Sequence, residues 1–141
     1  MTLRNLFLFL SLMLLAPLAA AELVVVANPR SGIERLTQEE VANIYLGRYR
    51  LLASGLTAEP VDLAGDIVLK GRFYRALVGK NLAEINAYWA RLVFSGRTRP
   101  PHASENVEAA LQYVAARPGA LAYVDRARAD RRVRIVFELS E

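Results

Sequence analysis

Residues Leu23-Val24-Val25-Val26-Ala27 form an unbroken apolar run, mostly β-branched, that stops at Asn28-Pro29. A strand with one wet face alternates polar and apolar side chains, whereas a run without alternation belongs to a strand covered on both faces. The run is therefore expected to be a central strand, and the rest of the chain must supply layers on either side of its sheet.

Those layers are legible downstream. Thr37 with Glu40 three residues later is a capping box, Val41, Ile44 and Tyr45 share a helical face, and Gly47 is a left-handed stop. Residues 48–59, with Arg48, Arg50, Ser54 and Gly55, read as an exposed connection or a short hairpin, and Pro60 to Leu63 as a second strand. Leu69, Phe73 and Leu77 recur at four-residue steps before Gly79. Asn81 then caps a stripe of Leu82, Ile85, Trp89, Leu92 and Val93 that should bury Trp89. Arg97-Thr98-Arg99-Pro100-Pro101-His102 is a basic loop stiffened by its prolines. Ser104 is expected to cap a fourth helix carrying Val107, Ala110, Leu111 and Val114, which Pro118-Gly119 ends. Ala120 to Val124 reads as a strand, and Val133, Ile135 and Phe137 alternate as a last one. Helices near 37–46, 67–78, 82–94 and 104–116, interleaved with strands, predict an α/β fold arranged as a three-layer sandwich.

Met1 to Ala21 does not belong to that domain. It holds one cation, Arg4, an apolar stretch from Leu6 to Leu15, Pro17, and then Ala19-Ala20-Ala21. The stretch is about half of the ~20 residues a membrane span needs, and small residues precede the expected cleavage before Glu22, so residues 1–21 read as a signal peptide. The expected mature chain, 22–141, is a single exported, periplasmic domain without a transmembrane segment. It carries 17 cations against 14 acids, a net charge of +3. That balance is too small and too scattered for a nucleic-acid partner. With no cysteine and one histidine, disulfide scaffolds, thiol nucleophiles, iron–sulfur clusters and Cys- or His-rich metal sites are excluded. No cofactor is implied. His102 is the only base for a serine triad and no G-x-S-x-G elbow is present, so an enzyme is not expected.

Several strings, in order, resemble a known family. Leu23 to Pro29, Leu36-Thr37 with Ile44-Tyr45-Leu46-Gly47, Trp89 with Phe94, Gly96 and Pro100, and Pro118-Gly119-Ala120-Leu121-Ala122-Tyr123-Val124 are similar to segments of phosphate-type periplasmic solute-binding proteins. The resemblance implies one lobe of a type II periplasmic binding protein, akin to short single-lobe substrate-binding components of phosphate ABC transporters. Phosphate or another small anion is then the implied ligand, and a membrane permease or a sensor protein the implied partner. The alternative is a protein-interaction or sensory input module of the cell envelope that has lost the anion site. The family's arginine and its G-S-G-T turn are replaced here, with Asp62 near the arginine's place and Gly65-Asp66-Ile67-Val68 at the turn. Two like charges at ~4 Å cost about 4 kcal/mol at an effective dielectric of 20, so binding is expected to be weak.

The candidate ligand-binding residues are Asn28, Arg30, Ser31, Gly65, Arg97 and Arg99. Arginine offers a planar fork suited to phosphate or carboxylate, and Ser31-Gly32 can present backbone amides before a helix. Each has a plain alternative, a solvated connection for Arg97 to His102 and a simple helix-leading turn for Ser31-Gly32. The arginines between Arg126 and Arg134, alternating with Asp125 and Asp130, read as a solvent-exposed turn with its charges partly satisfied, the alternative being contact with anionic lipid headgroups or an acidic partner.

Overall fold

The computed structural model describes residues 22–141; the expected signal peptide lies outside them. Five strands, β1 (Leu23–Ala27), β2 (Glu59–Leu63), β3 (His102–Ser104), β4 (Ala120–Asp125) and β5 (Arg134–Glu138), form one sheet in the order β3-β2-β4-β1-β5. Between them run α1 (Gln38–Tyr45), α2 (Ile67–Val78), α3 (Leu82–Phe94) and α4 (Val107–Ala116). β2 is parallel to β3 and β4, while β1 is antiparallel to both of its neighbours, β4 and β5. β1 is fully buried along its length, as its composition requires. It is an interior strand, although β4 takes the middle of the sheet.

The layers follow from handedness. The chain leaves β2 through α2 and α3 to reach β3, then returns through α4 past β2 to β4, so the two parallel crossovers travel in opposite directions along the sheet. Since both are right-handed by rule, they put α2 and α4 on opposite faces. α4 packs on β4, β2 and β3, while α1, α2 and α3 pack on one another in succession. The α2 face holds an aromatic cluster in which Phe73 stacks on Tyr123 at 3.9 Å between ring centroids, with Tyr45 at 4.7 Å edge-on to Phe73.

Helix limits obey the caps. Thr37 and Glu40 form a reciprocal capping box, as do Asn81 and Glu84, and Gly79 closes α2 in the left-handed conformation at φ 68°. Trp89 is buried. The expected helix start at Ser104 needs correction. Ser104 pairs with Leu63 in β3, and its carbonyl accepts from Ala64 N at 2.8 Å. With Ser104 committed to the sheet, the cap passes to Asn106, which accepts from Ala109 N at 2.8 Å.

Two further expectations change near the C-terminus. In β5 the buried residue is Val136, with Ile135 and Phe137 half-buried; Val133 is buried but precedes the strand. A register shift between Val25 and Val26 accompanies this. The segment 126–133 is also more than a turn. Leu23 pairs with Asp125 at the end of β4, and Ala27 with Arg134 at the start of β5, so this segment carries the chain back along the whole of β1. It is held by ion pairs from Arg126 to Glu22 and Glu138 and from Arg132 to Asp130 and Glu108. The 48–59 connection closes through one bridge, Leu51 with Thr57.

Candidate functional site

The loop after β1 carries three of the candidate residues. Asn28 is buried, its Nδ2 donates to Val114 O at 2.8 Å and Ala115 O at 3.1 Å, and its Oδ1 accepts from Arg30 N at 2.8 Å. The amide thus adds donors at the end of α4, where helical partners run out. Ser31 is buried too, with Oγ accepting from Ile33 N at 3.2 Å. Of these three candidates, Arg30 reaches solvent.

Gly65 lies at the other end of the sheet, because β2 runs opposite to β1. Its backbone presses on the next crossover, and a Cβ there would stand 2.0 Å from Glu105 O. Asp66 caps α2 by accepting from Leu69 N at 3.0 Å, so a carboxylate already occupies the helix terminus that would attract an anion. Behind it Ile67 and Val68 are exposed, 68% and 75%.

Asp62 does not face this turn openly. It is buried, Tyr74 donates to Oδ2 at 2.9 Å, Tyr123 donates to Oδ1, and Lys70 Nζ lies 3.5 Å from Oδ2. Burial, and then the Asp62 charge, push the Tyr74 and Tyr123 hydroxyls well above their ordinary ionisation range. Tyr45, whose hydroxyl donates to Val61 O and Leu121 O, is raised for the same reasons. This polar knot was not read from the sequence. The signal available was an acid inside an otherwise apolar strand, with tyrosines at helical and strand positions facing it.

Arg97 and Arg99 do meet, in an open cleft of about 770 Å³ at the starting ends of β2 and β3. Arg50 shares the lining and donates from Nη2 to Arg97 O at 2.7 Å, tying the 48–57 loop to the segment after α3. His102 stacks on Tyr113 at 4.0 Å, and the Arg117 guanidinium lies 4.6 Å from the Tyr113 ring centroid. Glu59 accepts from Arg117 at 3.1 Å and from the Tyr113 hydroxyl at 3.4 Å. Burial, then Glu59, raise the Tyr113 hydroxyl above its ordinary range. Arg50 was absent from the sequence-based candidates, since nothing local to residues 48–59 says which loop they meet. The candidates therefore divide into a fold-supporting loop, a tight turn at the far end of the sheet, and a cationic cleft. Among the described residues no group of three or more His, Asp or Glu is placed to hold a metal ion. No described helix is long and apolar enough to cross a membrane.

This architecture has solved counterparts. The chain is similar to an ABC-type phosphate transport receptor from Vibrio cholerae (TM-score 0.54, 14% identity, 82% of this chain and 45% of that one). It is similar to a putative phosphate ABC transporter substrate-binding protein with bound phosphate from Clostridium perfringens (TM-score 0.64, 14% identity, 82% and 44%). It is also similar to a possible phosphate binding protein from Planctomyces limnophilus (TM-score 0.58, 18% identity, 82% and 40%). The likeness is one of fold. This chain spans less than half the length of each of these proteins and has the α/β sandwich architecture of one lobe. No protein-family model matches the sequence, and no curated protein matches it.

Proposed function

We propose that this chain is an exported, non-catalytic solute-binding lobe that takes phosphate or another small anion weakly and works with a membrane permease or a sensor protein. The observation that carries this reading is the gathering of Arg50, Arg97 and Arg99 in one cleft on a fold shared with phosphate receptors. Export rests on the leader read in residues 1–21, with Glu22 as the mature start; intact mass of the secreted protein tests it. Asn28 and Ser31 spend their side chains on the loop after β1, and Arg30 is exposed but does not line the cleft, which supports reading Arg97 and Arg99 as the anion's donors. An open half-cleft cannot enclose an ion, and exposed charge pairs contribute only about 0.2–1 kcal/mol each and are screened by salt. The expected affinity for orthophosphate is about millimolar, fading as ionic strength rises. Calorimetric titration at low and at physiological salt is the test, and micromolar, salt-resistant binding would overturn the weak-site reading.

One observation favours the second reading, an interaction or sensory module of the cell envelope. Phe94 is 95% exposed at the end of α3, with Val93 beside it also exposed, and adjoining exposed apolar side chains are the start of the contiguous apolar surface that marks contact sites. A photo-crosslinking residue at position 94 should then form a discrete adduct in cells. Its failure to do so, together with saturable phosphate binding, would exclude the module.

A further inference from the structure

We propose that the Arg50–Arg97–Arg99 cleft takes an extended anion bearing two or more phosphoryl or carboxylate groups, in preference to a single tetrahedral oxyanion. The proposal rests on the anion-binding reading above and names the ligand class of that cleft. The cleft is long as well as open, its lining running from Arg50 and Tyr49 past Thr98 to His102. An ion of five heavy atoms would leave most of the cleft wet. Clefts of this size ordinarily bury a ligand many times larger.

The cations also come from two segments of the lining. Thr98 is half-buried against Gly47, with Oγ1 2.9 Å from where a Gly47 Cβ would stand, while Arg97 and Arg99 on either side of it are exposed. Proline at position 100 holds Arg99 in an extended conformation. Alternate residues of such a segment share a side and their Cα atoms stand ~6–7 Å apart. Arg50, anchored on the Arg97 carbonyl, adds a third cation from a separate loop. The side chains of Arg97 and Arg99 make no hydrogen bond or ion pair with any described residue, so their donors are available. Glu59 is the carboxylate of the lining, and Arg117 and the Tyr113 hydroxyl already engage it. Separated cations with one neutralised acid suit charges that are themselves separated. The Tyr49 and Pro100–Pro101 surfaces can bear the uncharged part of such a ligand.

The test titrates the purified protein with inorganic triphosphate, citrate and orthophosphate at one fixed ionic strength. Linking charged groups in one molecule makes the second contact intramolecular, so triphosphate or citrate should bind at least about tenfold tighter than orthophosphate. Either probe doing so supports the proposal, and the difference between them says whether phosphoryl or carboxylate groups are preferred. Arg97→Ala and Arg99→Ala, at exposed positions, should each weaken the better probe by about three- to tenfold, while Arg30→Ala outside the cleft leaves it unchanged. An effect of Arg30→Ala equal to that of Arg99→Ala would mean general surface attraction and overturn the site. Orthophosphate binding as tightly as the better of the two longer probes would overturn this proposal and leave the solute-binding reading standing. Absence of binding by all three would remove both.

Discussion

Tyr74 donates its hydroxyl to Asp62 Oδ2 at 2.9 Å inside the core, joining the middle of α2 to β2. Tyr123 on β4 donates to the other oxygen of the same carboxylate. One buried acid thereby ties a helix to two parallel strands. A hydrogen bond to a charged group contributes about 1.5–3 kcal/mol, so Tyr74→Phe should lower the unfolding free energy by that amount in urea denaturation. Asp62→Ala should cost more, because it strands two buried hydroxyls and leaves Lys70 without its acid. A loss below about 0.5 kcal/mol for Asp62→Ala, the range of an ordinary surface change, would show that the knot contributes nothing to stability.

The same burial sets an alkaline limit. Tyr45, Tyr74 and Tyr123 ionise above the ordinary 10.0 in the folded state. Above pH 10.0 the unfolded chain loses these protons first, so stability present below that pH declines as pH rises. Tyrosinate absorbance should accordingly appear in two parts, exposed tyrosines first and these three together with the loss of helical circular dichroism. On the acid side, hydrogen bonds from Arg132 hold Glu108 and Asp130 below their ordinary 4.5 and 3.8. Their contribution is present above those values and lost as pH falls through the lower folded-state ones. The difference in Tm between the protein and its Arg132→Gln variant should therefore narrow on acidification from neutral pH; a constant difference would exclude the ion pairs as its source.

Asn28 separates support from binding. Asn28→Ala removes two donations to the end of α4 and the acceptor of Arg30 N, and should destabilise by about 1–3 kcal/mol. Any orthophosphate isotherm should be unchanged below the new melting temperature. A variant with normal stability and abolished anion binding would place the ligand at this loop instead.

Trp89 packs where α1 ends, with its ring 2.9 Å from the place a Gly47 Cβ would take and 5.4 Å, edge-on, from Tyr88. Trp89→Ala should cost about 3–5 kcal/mol by chemical denaturation. Less than about 1 kcal/mol would mean that the cavity closes or that the ring contributes little packing.

What the sequence disclosed was periodicity and capping. Thr37, Asn81 and Gly79 marked helix ends because their chemistry is local, and Leu23 to Ala27 announced a two-sided sheet because no residue in the run tolerates water. The misplaced cap at Ser104 had a non-local cause, since only pairing with Leu63 tells that serine to be strand. The candidate site was harder for the same reason. Asn28 and Gly65 read as polar loop residues on either reading, and it took the opposed directions of β1 and β2 to put them at opposite ends. Arg50 joined Arg97 and Arg99 through a hydrogen bond across 47 positions, a distance that no local pattern reports.

The placement of β1 also governs the order in which the molecule can be built. Both of its neighbours, β4 and β5, come from the last stretch of the chain, so the most apolar strand is made early and paired late. While a chain emerges from its amino end, β1 has no strand to pair with until Ala120–Asp125 is made, and its second edge stays open until β5 follows. A chain cut short before Ala120 would keep a fully apolar strand with two open edges, the configuration that recruits another copy in place of its own missing end.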